Sequence, residues 1–210
     1  MIGRLKKAAT AWTLPSVSQV AEDGRDPFRI LISTLISLRT KDAVTNAASM
    51  KLFAEAATPR EMLKLSAHRI EALIYPAGFY KTKARTILDV CRDLLTRYDG
   101  KVPDDLDELL TMKGVGRKTA NLVITLGFGL HGICVDTHVH RISNRLGLVK
   151  TKTPDQTEFA LRKILPKPYW IDYNDLLVSY GQNLCRPISP YCSRCVIRKV
   201  CRRVGVGTSR

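Results

Sequence analysis

The sequence predicts an all-α protein, on three observations. Apolar residues recur at helical spacing in nearly every segment of the 210-residue chain, so that residues three and four apart share a face. Helix start and stop signals punctuate it at short intervals: Asp26-Pro27, Thr58-Pro59, Asp99-Gly100, Pro103-Asp104 and Thr153-Pro154. Strand-like alternation is absent, Ile133-Cys134-Val135 being the only β-like run and a very short one.

Residues 4–13 form a first short helix that Pro15 ends, with Ser16 placed to cap another. Asp26 caps a helix whose first turn holds Pro27, and the following FRILISTLISL is apolar on nearly all sides, which marks a buried central helix. Residues 41–56 follow, then a short PREMLKLS segment capped by Thr58, then residues 67–75, broken by Pro76 and Gly78. The clearest period places Ala84, Ile87, Leu88, Cys91, Leu94, Leu95 and Tyr98 on one face. It leaves Lys83, Arg85, Arg92 and Arg97 to solvent, and Asp99-Gly100 stops the helix. Pro103-Asp104 starts the acidic DDLDELLTM, whose early carboxylates suit a helix N-terminus. Helices over 117–127, 137–148, 153–165 and 172–184 complete the chain, and Cys91 and Cys134 lie on apolar stretches as core thiols.

Charge narrows the partner. Against 34 Lys and Arg stand 19 Asp and Glu, a net +15, which suits a polyanion, nucleic acid above all. The basic start, MIGRLKKAATAW, is too polar for a signal peptide, and nowhere do 18 apolar residues run uncharged, so no membrane role is expected. The expected setting is intracellular, where disulfides are disfavoured and six cysteines need another explanation.

Two motifs carry chemistry. Between two apolar helices lies Lys113-Gly114-Val115-Gly116, followed by Arg117 and Lys118. Alternating glycines let the chain turn sharply and bring backbone N–H groups close to an anion, so the turn can hold a DNA phosphate without reading sequence. Leu109, Met112, Val115, Ala120 and Val123 would bury the inner side of this hairpin. The second motif is Cys185, Cys192, Cys195 and Cys201, spaced C-x6-C-x2-C-x5-C. Four thiolates this close can enclose one metal centre, and by chemistry alone tetrahedral zinc and a [4Fe–4S] cluster both fit. Arg186, Arg194, Arg198, Lys199, Arg202 and Arg203 add positive charge around them.

MKGVGRKTAN, with VDTHVHR at 135–141 and the cysteine spacing, resembles the endonuclease III family of DNA glycosylases from about Asp26 to Cys201. Lys113 is a departure, since the family usually has proline there. The resemblance implies a two-lobed helix-hairpin-helix glycosylase fold: a six-helix barrel over 25–130, and a second lobe of 1–24 and 131–210 carrying a [4Fe–4S] cluster on the four cysteines. It implies a bifunctional glycosylase and abasic-site lyase that removes oxidised pyrimidines from double-stranded DNA. Lys118 would be the amine nucleophile and Asp136 the catalytic carboxylate, facing each other across the cleft between lobes. Read alone, Lys118 is a surface lysine in a helix's first turn, where the dipole disfavours an ammonium, and Asp136 is an N-cap. His138 matches the family pattern, as a DNA contact or in orienting its neighbours. By position Arg39 and Phe79 match the family's two wedge loops, where glutamine and leucine are common; an arginine can hydrogen-bond an orphaned base and a phenylalanine can intercalate. Both also read as ordinary loop residues.

The rival within the family is a monofunctional mismatch glycosylase for adenine, or for thymine or uracil opposite guanine; Lys118 argues against it. The rival outside it is a non-catalytic DNA-binding or electron-transfer iron–sulfur protein. The expected state is a monomer, in the cytoplasm beside the nucleoid in a bacterium, or in a nucleus or organelle in a eukaryote.

Overall fold

In the computed structural model all residues are described except 13, 14 and 23, so the far end of the expected helix over 4–13 lies outside the described residues. Among the described residues there is no strand. The run Ile133-Cys134-Val135 is buried but irregular. None of the described helices is long and apolar enough to cross a membrane.

The helices are α1 (Ile2–Ala9), α2 (Ser16–Glu22), α3 (Pro27–Ser37), α4 (Asp42–Glu55), α5 (Pro59–Met62) and α6 (Ala67–Ile74). There follow α7 (Tyr80–Arg97), α8 (Leu106–Thr111), α9 (Arg117–Leu122), α10 (Thr137–Leu146), α11 (Pro154–Ile164) and α12 (Tyr173–Asn183). The caps explain where they begin. Asp26 accepts from Phe28 N at 2.9 Å, and Thr58 forms a capping box with Glu61. Ser66 caps α6, Asp105 rather than Asp104 caps α8, and Thr153 caps α11. Residues 117–127 are not one α-helix: α9 widens after Leu122 into a π-helical turn, Val123–Gly127. Gly127 passes so close to Pro27 that a Cβ would stand 3.2 Å from its ring. Such widened turns gather at functional sites.

The chain divides into two compact units: Ser16–Leu130, and Met1–Pro15 with His131–Arg210. The division expected at residue 25 falls at Ser16 instead. Helix α2 packs on α3 and α4, burying Ser16, Val17 and Ser18, and Asn46 Nδ2 donates to Gln19 Oε1 at 2.7 Å.

In the Ser16–Leu130 unit, α3 is the central helix. Ile30, Leu31, Ile32, Leu35 and Ile36 are buried together because α2, α4, α7 and α9 all pack on it. Helix α7 buries Ala84, Ile87, Leu88, Cys91 and Leu94 as its period requires, and burial pushes the Cys91 thiol up to about 12. Lys83 breaks the expected pattern. Expected in solvent, it is only 7% exposed, for a reason given below. The other unit closes around Leu5, Val139, Ile142, Leu161, Tyr173, Leu177 and Tyr180, with α12 packed against α1 and α10.

Candidate nucleic-acid interface and active-site residues

The hairpin is built as its sequence implies: Leu109, Met112, Val115, Ala120 and Val123 are all buried, locking α8 against α9. Its two glycines differ. Gly114 has φ +88, and a Cβ there would stand 2.5 Å from Thr86 Cγ2 on α7, so the fold itself demands glycine. Gly116 is extended (φ −95, ψ 173), and among the described residues, its chain neighbours aside, no heavy atom lies within 4 Å of where its Cβ would be. Nothing inside the chain requires a glycine at that point. Lys113, Gly114 and Gly116 are exposed; Arg117 and Lys118, which open α9, are half-buried.

Lys118 lies near enough to Lys83 to act on it electrostatically. The Lys83 ammonium is turned inward and donates to Ile36 O at 2.7 Å, Leu38 O at 2.6 Å and Thr40 Oγ1 at 2.8 Å. Burial first, and the Lys118 charge second, bring its pKa down to about 8. Sequence reasoning missed this residue, since the helical period gives no hint that a lysine's partners are carbonyls 45 and 47 residues earlier.

Arg39 and Phe79, matched separately to two loops, come together. The Arg39 guanidinium carbon stands 5.3 Å from the centre of the Phe79 ring, and Phe79 is 62% exposed. Both are left-handed, at φ 54 and φ 57, a conformation that costs a non-glycine residue roughly 1–3 kcal/mol and persists only where the surroundings enforce it. Gly78 supplies part of the enforcement. Its N–H donates to Thr40 Oγ1 at 3.1 Å, and a Cβ on it would stand 2.6 Å from Arg39 O.

In the other unit, Asp136 is the N-cap of α10, its Oδ1 accepting from Val139 N at 2.8 Å. His138 is half-buried against Gly181 of α12, where a Cβ would stand 2.2 Å from its Nδ1, and Arg141 Nη2 lies 3.3 Å from that nitrogen. Arg141 Nη2 also donates to Cys185 O at 2.8 Å. One turn on, Arg145 donates to Arg186 O and Pro187 O, both at 2.6 Å, and lies 3.5 Å from Cys185 Sγ. Two arginines of α10 therefore fasten the segment that carries the first of the four clustered cysteines.

All six cysteines are free thiols. Cys185, Cys192, Cys195 and Cys201 line one cavity with Ile142, Leu146, Tyr180 and Ile197. Burial pushes the Cys201 thiol up, and the charges of the other three thiols add to the effect. The Tyr180 hydroxyl sits 2.9 Å from Cys195 Sγ. Among the described residues no three His, Cys, Asp or Glu side chains converge on a single ion position. Four cysteines lining one apolar cavity, with Arg145 beside Cys185, fit a thiophilic group that would bind them as thiolates and offset their charge.

The profile of the HhH-GPD superfamily of base excision DNA repair proteins matches residues 32–167. The chain is 48% identical over 188 residues to Endonuclease III of Thermotoga maritima, covering 88% of each. It is 44% identical over 183 residues to the chloroplastic Endonuclease III homolog 1 of Arabidopsis thaliana, covering 83% of this chain but 48% of that one, about half the relative's length. A trapped endonuclease III–DNA covalent intermediate, in an estranged-adenine complex, superposes with a TM-score of 0.81 at 37% identity, covering 85% of this chain and 84% of the other.

Proposed function

This chain belongs to the HhH-GPD superfamily of base excision DNA repair proteins and, within it, to the endonuclease III family, and from that premise we infer that it is a DNA glycosylase and abasic-site lyase acting on damaged bases in DNA. The observation that carries the reading is the 48% identity spanning 88% of both this chain and Endonuclease III of Thermotoga maritima, beside a family match over residues 32–167 that takes in the hairpin. The solved relative forms a covalent intermediate with DNA, which requires a nucleophile. Lys118, two residues beyond Gly116, is the amine that fits.

The chemistry proceeds as follows. Lys118 Nζ attacks the anomeric carbon, forming a C–N bond as the glycosidic bond breaks and the base leaves with a proton. The Asp136 carboxylate stabilises the oxocarbenium character that develops on the sugar; capping α10 through Oδ1 holds that carboxylate in place. The sugar ring then opens as the C1′–O4′ bond breaks and O4′ takes a proton, and the iminium left between C1′ and Nζ acidifies the neighbouring C2′ proton. Its loss expels the 3′ phosphate, and water releases the amine.

The targets are oxidised pyrimidines in duplex DNA, flipped out of the stack before reaction. Arg39 and Phe79 enter the gap, a role supported by their exposure and by the strain that keeps them side by side. Lys113, Gly114, Val115, Gly116 and Arg117 hold a backbone phosphate, which accounts for the one hairpin glycine the fold does not need. His138 orients the start of α10 through Arg141 and α12. Cys185, Cys192, Cys195 and Cys201 hold a [4Fe–4S] cluster, a reading supported by their place around one cavity and by a spacing that resembles the family's cluster loop. The enzyme works as a monomer, since base flipping needs no second subunit.

Borohydride reduction in the presence of a duplex containing thymine glycol tests the reading. The parent should yield a covalent protein–DNA adduct and Lys118→Ala none; a parent that yields none removes the lyase. Asp136→Asn that turns over at the parent rate removes the carboxylate's role.

A further inference from the structure

Arg39 and Phe79, two of the left-handed non-glycine residues of the Ser16–Leu130 unit, share one support. Arg39 follows directly on the end of α3, where the chain turns at Leu38. That turn leaves Ile36 O and Leu38 O pointing at α7, and Lys83 Nζ meets both. Its third hydrogen bond goes to Thr40 Oγ1, which also accepts from Gly78 N, the residue before Phe79. One buried ammonium thus ties the segment carrying Arg39 to the segment carrying Phe79. An ammonium has three donors, and all three are used on atoms of these turns. Burying a lysine is costly, and most lysines on an amphipathic helix are solvated. The apolar faces of α3 and α7 are buried beside it, Ile36, Ala84 and Ile87 being fully enclosed, so a cation is out of place there by composition.

We propose that Lys83 is a positioning residue whose buried ammonium clamps residues 36–40 and 78–79 together and so presents the Arg39–Phe79 pair to DNA. The inference rests on the reading that this pair enters the gap left by a flipped base. It also assigns Thr40 as the shared acceptor through which the clamp reaches the second loop. Lys83 does not touch the reacting atoms. Its loss acts on base extrusion, which needs the pair in place, more than on the bond-making steps at Lys118.

Two variants and two readouts test it. Lys83→Met keeps the length and removes the donors, but it also removes a charge near Lys118. Thr40→Val removes the shared acceptor and leaves both charges in place. In amide hydrogen exchange, the Gly78 N–H should exchange at least about tenfold faster in both variants, the size of one lost hydrogen bond. Amides inside α3 should keep the parent rate. Unchanged Gly78 exchange, or faster exchange throughout the unit, overturns the clamp whatever the enzyme's activity. In single-turnover assays, removal of thymine glycol from a paired duplex should fall about tenfold or more in both variants, a loss on the scale of that same hydrogen bond. Cleavage of a duplex with a preformed abasic site, which has no base to extrude, should fall much less in Thr40→Val. An equal fall on both substrates in Thr40→Val overturns the positioning role. A parent inactive on both substrates overturns the functional reading, and the presentation role with it, while the exchange result still decides the clamp.

Discussion

Gly114 and Gly116 look alike in the sequence, but a methyl group separates them. Gly114→Ala meets both a left-handed backbone and Thr86 Cγ2 at 2.5 Å; it should cost about 2–3 kcal/mol of stability by urea denaturation. Gly116→Ala meets open space and should cost about 1 kcal/mol or less, the N-cap preference of glycine over alanine. Its larger effect should be on duplex affinity by fluorescence anisotropy, and unchanged affinity would remove the phosphate role. Lys83 gives a second prediction at this scale. Its folded pKa of about 8 lies below the ordinary 10.5, so between these values the unfolded chain binds more protons than the folded one. Stability conferred by this group therefore rises with pH across that window, and below pH 8 the cost of burying the charge is fully present. Parent minus Lys83→Met stability, measured from pH 7 to 10.5, should rise with pH; a flat difference would show that the lysine titrates normally. The sequence could not disclose this residue. Lys83 sits beside Ala84 at the edge of an apolar face, and its partners exist only once α3 has ended at Leu38 and packed on α7. The left-handed Arg39 and Phe79 were equally illegible, because both are residue types that ordinarily avoid that conformation.

Elements were far more legible than their irregularities. Asp26, Thr58 and Thr153 cap helices where side-chain chemistry says they should, since a capping oxygen and its N–H partners are only two or three residues apart. The five inner residues of the hairpin were legible for the same local reason. The π turn at Val123–Gly127 was not; it ends at Gly127, which abuts Pro27, a hundred residues away in the chain. Helix α10 shows what such distant contacts add. At its start stands Asp136, and on its last turns Arg141 and Arg145 grip the backbone of residues 185–187. Arg145, 9% exposed, was unremarkable in the sequence. Arg145→Met would leave Arg186 O and Pro187 O without their donor and should destabilise this unit by about 1.5–3 kcal/mol, the range for hydrogen bonds made by a charged group. Iron and sulfide analysis of the purified variant should show substoichiometric metal; full loading would mean that the thiols hold the segment without α10.

At the scale of the whole molecule, the grouping of α2 with α3 and α4 was hard to read in the sequence, because Ser16–Glu22 is short and its partners come later. A cluster held by Cys185, Cys192, Cys195 and Cys201 would belong wholly to the unit of Met1–Pro15 and His131–Arg210, since every residue lining that cavity lies within it. The Ser16–Leu130 unit has its own core around α3. Free energy of metal binding is free energy of folding for whatever segment the metal holds. Residues 186–203 are held in the structure by short 3₁₀ turns and a few backbone hydrogen bonds, with few buried side chains besides Ile197. Oxidative removal of the cluster should therefore release this segment first. It is rich in trypsin sites: Arg194, Arg198, Lys199, Arg202 and Arg203. Limited trypsin digestion read by mass spectrometry should show cuts there soon after metal loss, followed by loss of α10 and its Asp136. Peptides from Ser16–Leu130 should appear at the rate seen for the intact protein. Simultaneous digestion of both units would show that the metal stabilises the entire chain as one cooperative body, and unchanged digestion at 186–203 would show that the thiols need no metal to stay folded.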